Sequence, residues 1–322
     1  MSTFIICNEL GGNYGHTLRF KALIKTLRNK GHEVVFISNM ERNDINCIFH
    51  KAPDLKVIPN LLGNRYVDTL NRFGYNDPKH LTNYLRGWIN IVKRYENPVL
   101  IGDFAPIVFL ISKALGIPHV MLGGKANLPD GSFCEELARS IEIALLNVTL
   151  GIHLVNKEMF SHCINIEYGN DNPNWLHFPL VNLTETKGLF KGKGVKVFIY
   201  LKPDSPRYKE IIEYFSSAQF NVISETPVDP SVIAETDYVV CHGGSGTITE
   251  ALCNGKNLFL YPITVEQRKN CEVVVRDHYG LYIEDYLDKS TSTFINVANL
   301  LHTSKKLNKL DDLVDYLIGL DK

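Results

Sequence analysis

From Tyr238 to Gly255 the chain reads YVVCHGGSGTITEALCNG, and its polar residues fall where a strand-like run gives way to a helix-like one. Tyr238–Cys241 is apolar and β-branched, and the spacing from Thr247 to Cys253 is helical. Between them stand His242, Gly243, Gly244, Ser245 and Gly246. The start of a helix leaves backbone N–H groups without intrahelical partners. The positive end of its dipole favours a negative charge by roughly 0.3–2 kcal/mol. Glycines let an anion approach that backbone, and the hydroxyls of Ser245 and Thr247 add donors. The chemistry implied is phosphate binding. Gly243 and Gly244 alone would be explained by a tight turn that packs a strand against a helix. A histidine, a third glycine and two hydroxyls shift the balance toward an anion.

Other glycine motifs are not met. A dinucleotide-binding G-x-G-x-x-G needs Gly or Ala where Thr249 stands, no G-x-x-x-x-G-K-[ST] occurs, and G-x-S-x-G needs Gly at Thr247. No D-x-D occurs either, which disfavours a donor held through a metal ion. His153, His162 and Cys163 lack the partner spacing of a metal site. No metal and no cofactor is expected.

A second group of residues suits proton transfer. Gly12, Asn13, Tyr14, Gly15 and His16 form the loop after the first strand-like run, with His16 at a helix start. Asp103, in VLIGDFAP, ends another strand of the same half. In an open α/β sheet both ends emerge at the carboxyl edge, where ligands bind. A histidine oriented by a carboxylate removes a proton from a hydroxyl, an effect of about 10²–10⁴-fold in rate. His16 could instead be a hydrogen-bonded structural residue, and Asp103 could cap the helix that follows it.

The elements that must position these residues alternate strand and helix throughout. TFIIC, EVVFIS, VLIG, HVML and IHLV are strand-like in the first half. In the second, VKVFIYL (195–201), FNVIS (220–224), DYVVC (237–241) and LFLYP (258–262) repeat the pattern. Continuous apolar strands between amphipathic helices indicate parallel sheets covered on both faces. The stretch from His16 to Gly31 has helical spacing, with Gly31 as its end signal. Leu81, Leu85, Trp88, Ile89 and Val92 form another helical stripe, which makes Trp88 a core residue. The polar, glycine-rich NLTETKGLFKGKG reads as a linker. The expected organisation is α/β: a Rossmann-like domain over residues 1–183, a linker over 184–194, and a second Rossmann-like domain over 195–322, facing each other across a cleft.

Composition sets the class. With 322 residues, 45% hydrophobic and 21% charged, the chain has the material for two packed domains. A net charge of −1 lacks the basic excess of a nucleic-acid binder. Seven cysteines, scattered and never in C-x-x-C, read as reduced thiols. The N-terminus lacks a signal peptide and no apolar run is long enough to span a bilayer, so the protein is expected in the cytoplasm.

With those residues in place, HGGSGTITEALCNGKNLFLYPITVEQRKN resembles the donor-binding signature of GT-B glycosyltransferases of the UDP-glucuronosyl, flavonoid and macrolide type. Glu250 stands eight residues after His242, and Glu266 and Gln267 stand 24 and 25 after it, at the family's spacing. Gly15-His16, Asp103 and KALGIPHV (113–120) match the family's N-terminal pattern. The resemblance implies a fold of two Rossmann-like domains and an inverting transfer of sugar, without metal, from a UDP- or dTDP-sugar to an acceptor hydroxyl. It implies that His242, Gly246 and Thr247 hold the diphosphate, with Gly243, Gly244 and Ser245 also on the donor side, that Glu250 takes the ribose hydroxyls, and that Glu266 and Gln267 bind the sugar. Lys202 would neutralise phosphate, and the backbone at Val228 would read the base. His16 would be the base and Asp103 its partner, with Gly12–Gly15 on the acceptor side. The acceptor would be a small molecule, a glycan or a lipid. Glu266 replaces the family's Asp and Asn257 its Pro, RDHYGLYI replaces a Gly-Ala-Gly-like turn, and the chain is shorter than typical members. Two alternatives share the site: a UDP-sugar 2-epimerase, and a non-catalytic nucleotide-sugar-binding partner of another glycosyltransferase.

Overall fold

A computed structural model describes residues 1–10, 20–40, 45–59, 61, 66–123, 134–149, 163–165, 168, 176–178, 194–217, 220–224, 230–301 and 309–320. The chain forms two compact units. The first comprises Met1–Ile166, Asn170–Phe178 and Asp311–Lys322, and the second Glu167–Gly169 and Pro179–Leu310.

In the first unit the elements are β1 (Thr3–Asn8), α1 (Lys21–Asn29), β2 (Glu33–Ser38), β3 (Ile48–Lys51), α2 (Tyr66–Arg72), α3 (Pro78–Val92), β4 (Pro98–Asp103), α4 (Ile107–Leu115), β5 (His119–Gly123), α5 (Glu135–Thr149), β6 (Cys163–Asn165) and β7 (Leu176–His177). The seven strands are parallel in the order β3-β2-β1-β4-β5-β6-β7. Chain order reverses between β1 and β4, which makes their carboxyl ends the switch point of the sheet. Asn8 pairs with Asp103 there. Helix α3 starts on Asp77, whose side chain accepts the N–H of His80, with Pro78 at its first turn. The apolar stripe of α3 is buried, with Trp88 inaccessible, as its spacing predicts. Helix α1 begins at Lys21, and Gly31 beyond its end has φ +85°, the left-handed conformation of a helix stop.

The second unit contains β8 (Lys196–Tyr200), α6 (Tyr208–Ser217), β9 (Asn221–Ile223), α7 (Pro230–Glu235), β10 (Tyr238–Cys241), α8 (Ser245–Cys253), β11 (Asn257–Leu260), α9 (Val265–Arg276), β12 (Gly280–Tyr282), a 3₁₀ turn (Ile283–Asp285) and α10 (Thr291–Ala298). Its five strands are also parallel, in the order β12-β11-β10-β8-β9. Period-two alternation sends neighbouring residues to opposite faces. Phe198, Val239 and Leu258 pack with α7, α8 and α9, while Val197, Val240 and Phe259 pack with α6 and α10. The sheet is doubly wound, with the switch point between β8 and β10.

The last helix, α11 (Leu310–Gly319), corrects the expected boundaries. From Asp311 onward it belongs to the first unit, where Lys30 Nζ meets Asp315 and Phe178 packs on Tyr316. The division falls after Phe178, ahead of the expected end at residue 183, and Glu167–Gly169 is counted with the second unit. An amphipathic pattern fixes a helix's buried face but not the sheet that covers it. The proposed linker falls almost wholly outside the described residues, as does the IHLV strand.

Candidate active site

The glycine-rich turn lies at the switch point of the second unit. β10 ends at Cys241, level with Tyr200 at the end of β8. α8 begins at Ser245, two residues before its sequence spacing becomes helical, and its N-cap is Gly244, which has no side chain to close the first turn. Gly244 and Gly246 are exposed, and a Cβ at either would meet nothing within 4 Å. Gly243 is different. It has φ +87°, and a Cβ there would lie 2.3 Å from Cys271 Sγ and 3.1 Å from the Gln267 carbonyl oxygen. Glycine at 243 lets α9 pack against the turn, with Asn270 Nδ2 donating to the Gly243 carbonyl at 3.1 Å. Glycines at 244 and 246 leave an uncovered set of N–H donors.

His242 braces this corner. Its Nδ1 lies 2.9 Å from the Tyr261 carbonyl oxygen, so Nδ1 carries the proton and donates. Nε2 then accepts from the Ser205 hydroxyl at 2.9 Å and from the Lys202 backbone N–H at 3.2 Å. The ring expected to grip a diphosphate is thus bonded at both nitrogens, joining the ends of β8, β10 and β11. Lys202 contributes its backbone to this brace while its side chain is exposed.

Glu250, half-buried on the second turn of α8, lies 3.5 Å from Asn254 Nδ2. Gln267 forms a capping box with Thr264. Its Oε1 accepts from the N–H groups of Ile263 at 3.0 Å and Thr264 at 3.2 Å, which leaves its amide NH₂ for other partners. Glu266 precedes Gln267 on α9, and its side chain lies outside the described residues. So do Val228, His16 and the loop residues Gly12, Asn13, Tyr14 and Gly15.

At the switch point of the first unit Asp103 is fully buried, and its Oδ2 accepts from Asn8 Nδ2 at 2.9 Å. The capping alternative for Asp103 would act on the first N–H of α4. That N–H, from Ile107, goes instead to Glu9 Oε2 at 2.9 Å. Glu9 also accepts from the Tyr75 hydroxyl at 2.6 Å. Burial pushes its carboxyl up to about 7, against the lowering pull of the bonds from Tyr75 and Ile107. Sequence reasoning missed Glu9. No local signal marks it: Leu10 separates it from Gly11, and its burial depends on Tyr75, far along the chain.

The thiols of Cys241, Cys253 and Cys271 are pushed up to about 12, mainly by burial, and so are not poised as nucleophiles or ligands. Among the described residues no three His, Cys, Asp or Glu side chains gather as metal ligands. Nor, among them, is any helix long and apolar enough to cross a membrane.

Residues 185–312 match the model of the glycosyltransferase family 28 C-terminal domain. No curated protein sequence is significantly similar to the chain. Solved structures resemble it over its whole length. The spinosyn forosaminyltransferase SpnP is 13% identical, with 100% of each chain covered and a TM-score of 0.67. The glycosyltransferase SnogD from Streptomyces nogalater is 15% identical, again with 100% of each covered and a TM-score of 0.65. SsfS6 from Streptomyces sp. SF2575, complexed with thymidine diphosphate, is 14% identical over 98% of this chain and 99% of that one, with a TM-score of 0.60. At these identities the likeness establishes the fold.

Proposed function

We propose that this chain is a GT-B glycosyltransferase that carries a sugar, in a single inverting displacement, from a UDP- or dTDP-sugar to an acceptor hydroxyl. The diphosphate lies on the first turn of α8, held by the N–H groups of Ser245, Gly246 and Thr247 and by the two hydroxyls. Gly243, Gly244 and the ring of His242 shape the turn beneath it. Glu250 accepts from the ribose hydroxyls, a task for an acceptor-only group. Gln267, its oxygen spent on the helix cap, offers N–H donors to the sugar beside Glu266. The exposed amine of Lys202 adds positive charge near the phosphates, and the backbone at Val228 reads the base.

His16 takes the proton of the acceptor hydroxyl as the acceptor oxygen bonds to the anomeric carbon, with Asp103 holding the imidazole. The bond from that carbon to the phosphate oxygen breaks, and the electron pair leaves with the diphosphate. Helix-end N–H groups stabilise that charge where it develops, so the step calls for no metal. Gly12–Gly15 line the acceptor side, for a small molecule, a glycan or a lipid.

The observation that carries this reading is the open first turn of α8 at a sheet switch point, with Gly244 and Gly246 uncovered. The thymidine diphosphate complex of SsfS6, a chain of the same fold, supports the donor class. Thermal denaturation with UDP, dTDP, NAD and ATP tests it, because a ligand of the folded state raises the melting temperature. UDP or dTDP should do so, and NAD and ATP should not; stabilisation by NAD or ATP alone would refute the donor class. In parallel, His16→Ala should lower acceptor glycosylation at least about 100-fold. A wild-type rate in that variant removes His16 from the mechanism.

A further inference from the structure

Thr249, the residue that spoils a dinucleotide fingerprint, sits one turn beyond Ser245 and is 2% exposed. Its Oγ1 donates to the Ser245 carbonyl at 2.8 Å and accepts the backbone N–H of Tyr168 at 2.7 Å. Tyr168 comes from a segment only three residues beyond β6, yet it belongs to the second unit. Its hydroxyl donates to Asp277 Oδ2 at 2.5 Å, and Asp277 caps the C-terminal end of α9. Its ring packs edge-on against Tyr279, with centroids 5.9 Å apart. One residue therefore holds both helices that the donor reading uses: α8 through Thr249 and α9 through Asp277.

The bond chain ends at a specific point. The carbonyl of Ser245 and the N–H of Gly246 belong to one planar trans peptide unit and point in opposite directions. Whatever fixes that carbonyl also aims that N–H, which is one of the open donors of the first turn. Donation from Tyr168 polarises the Thr249 hydroxyl and strengthens its bond onward to Ser245. Asp277 in turn ties the tyrosine to the helix that presents Gln267.

Resting on the donor reading above, we propose that Tyr168 is a positioning residue for the diphosphate site. It aims the Gly246 N–H through Thr249 and sets α8 against α9 through Asp277. Tyr168 touches no substrate, and it acts on donor affinity through these two bonds.

The test compares Thr249→Val, Thr249→Ser and Tyr168→Phe with wild type by calorimetric titration with dTDP and with UDP, and by kinetics on the matching donor. Thr249→Val keeps the shape but loses the hydroxyl, and nucleotide affinity should fall about tenfold. Tyr168→Phe keeps the ring and the backbone N–H, and affinity should fall about threefold. Thr249→Ser keeps the hydroxyl and should bind within about twofold of wild type. Donor KM should rise in step with these losses while kcat changes less than about twofold. Lower melting temperatures with unchanged nucleotide affinity would make Tyr168 a structural strap and overturn the proposal. So would equal losses in Thr249→Ser and Thr249→Val. If wild type binds neither dTDP nor UDP, the donor reading itself fails and takes this inference with it, an outcome distinct from the other two.

Discussion

The two switch points are built on the same plan and finished in opposite ways. In the first unit, β1 and β4 end on Asn8 and Asp103, Glu9 follows Asn8, and all three side chains are buried. Asn8 bonds Asp103, and Glu9 closes the first turn of α4. In the second unit, Lys202 and His242 follow the ends of β8 and β10, and the helix after β10 starts on an exposed glycine with no side-chain cap. A helix start capped by its own chain has no donors left for a ligand. One left bare at a sheet edge keeps them. The same local physics thus yields a fixed carboxylate platform in one unit and a helix start with uncovered donors in the other.

The comparison breaks most severely at Gly243. Alanine there must adopt a left-handed backbone and place its Cβ against Cys271 and Gln267. A loss of about 3 kcal/mol or more in chemical denaturation is expected, with nucleotide binding lost alongside. A near-wild-type midpoint would mean that α9 does not press on the turn.

The next effect belongs to the closed corner. Burial raises the Glu9 carboxyl to about 7 in the folded chain, above its ordinary value near 4.3 when unfolded. The folded state therefore holds a proton that the unfolded state has released. The stability associated with that proton is whole below about pH 4 and is lost as pH climbs through about 7. The shift corresponds to about 3 kcal/mol. Wild-type unfolding free energy should decline from pH 5 to 8, and Glu9→Gln should remove most of that slope. An unchanged slope in the variant would assign the titration to other groups.

The smallest effect is also the sharpest contrast. Gly246→Ala adds a methyl group in open space near the start of a helix. Stability should stay level or rise by up to about 1 kcal/mol. Nucleotide diphosphate affinity should drop about tenfold, near 1.4 kcal/mol, because the methyl group occupies the anion's approach. Unaltered affinity would separate the bare helix start from donor binding.

Much of this was legible in the sequence because buried parallel strands are continuous apolar runs and glycines mark what packing or a ligand requires. TFIIC, EVVFIS and DYVVC are strands as read, and the His242–Thr247 turn lies at a helix start. Short edge strands such as β3 and β12 carried too few residues to show a period. Glu9 was missed because its burial depends on Tyr75, far along the chain, and nothing local distinguishes it from a loop carboxylate. The brace around His242 was missed for the same reason, since Lys202, Ser205 and Tyr261 come from other strand ends. In the sequence Thr249 read only as a failed motif; the residue that uses it, Tyr168, lies 81 positions away.

The exchange of segments between the units limits how this protein can be taken apart. A fragment ending near residue 183 would give up α11, and with it the wholly buried Leu313, Val314 and Leu317 and the contact of Tyr316 with Phe178. The complementary fragment would lack Tyr168, whose N–H the Thr249 hydroxyl accepts. Neither half carries a full set of its own parts, and a lesion in the last dozen residues bears on the unit that begins the chain.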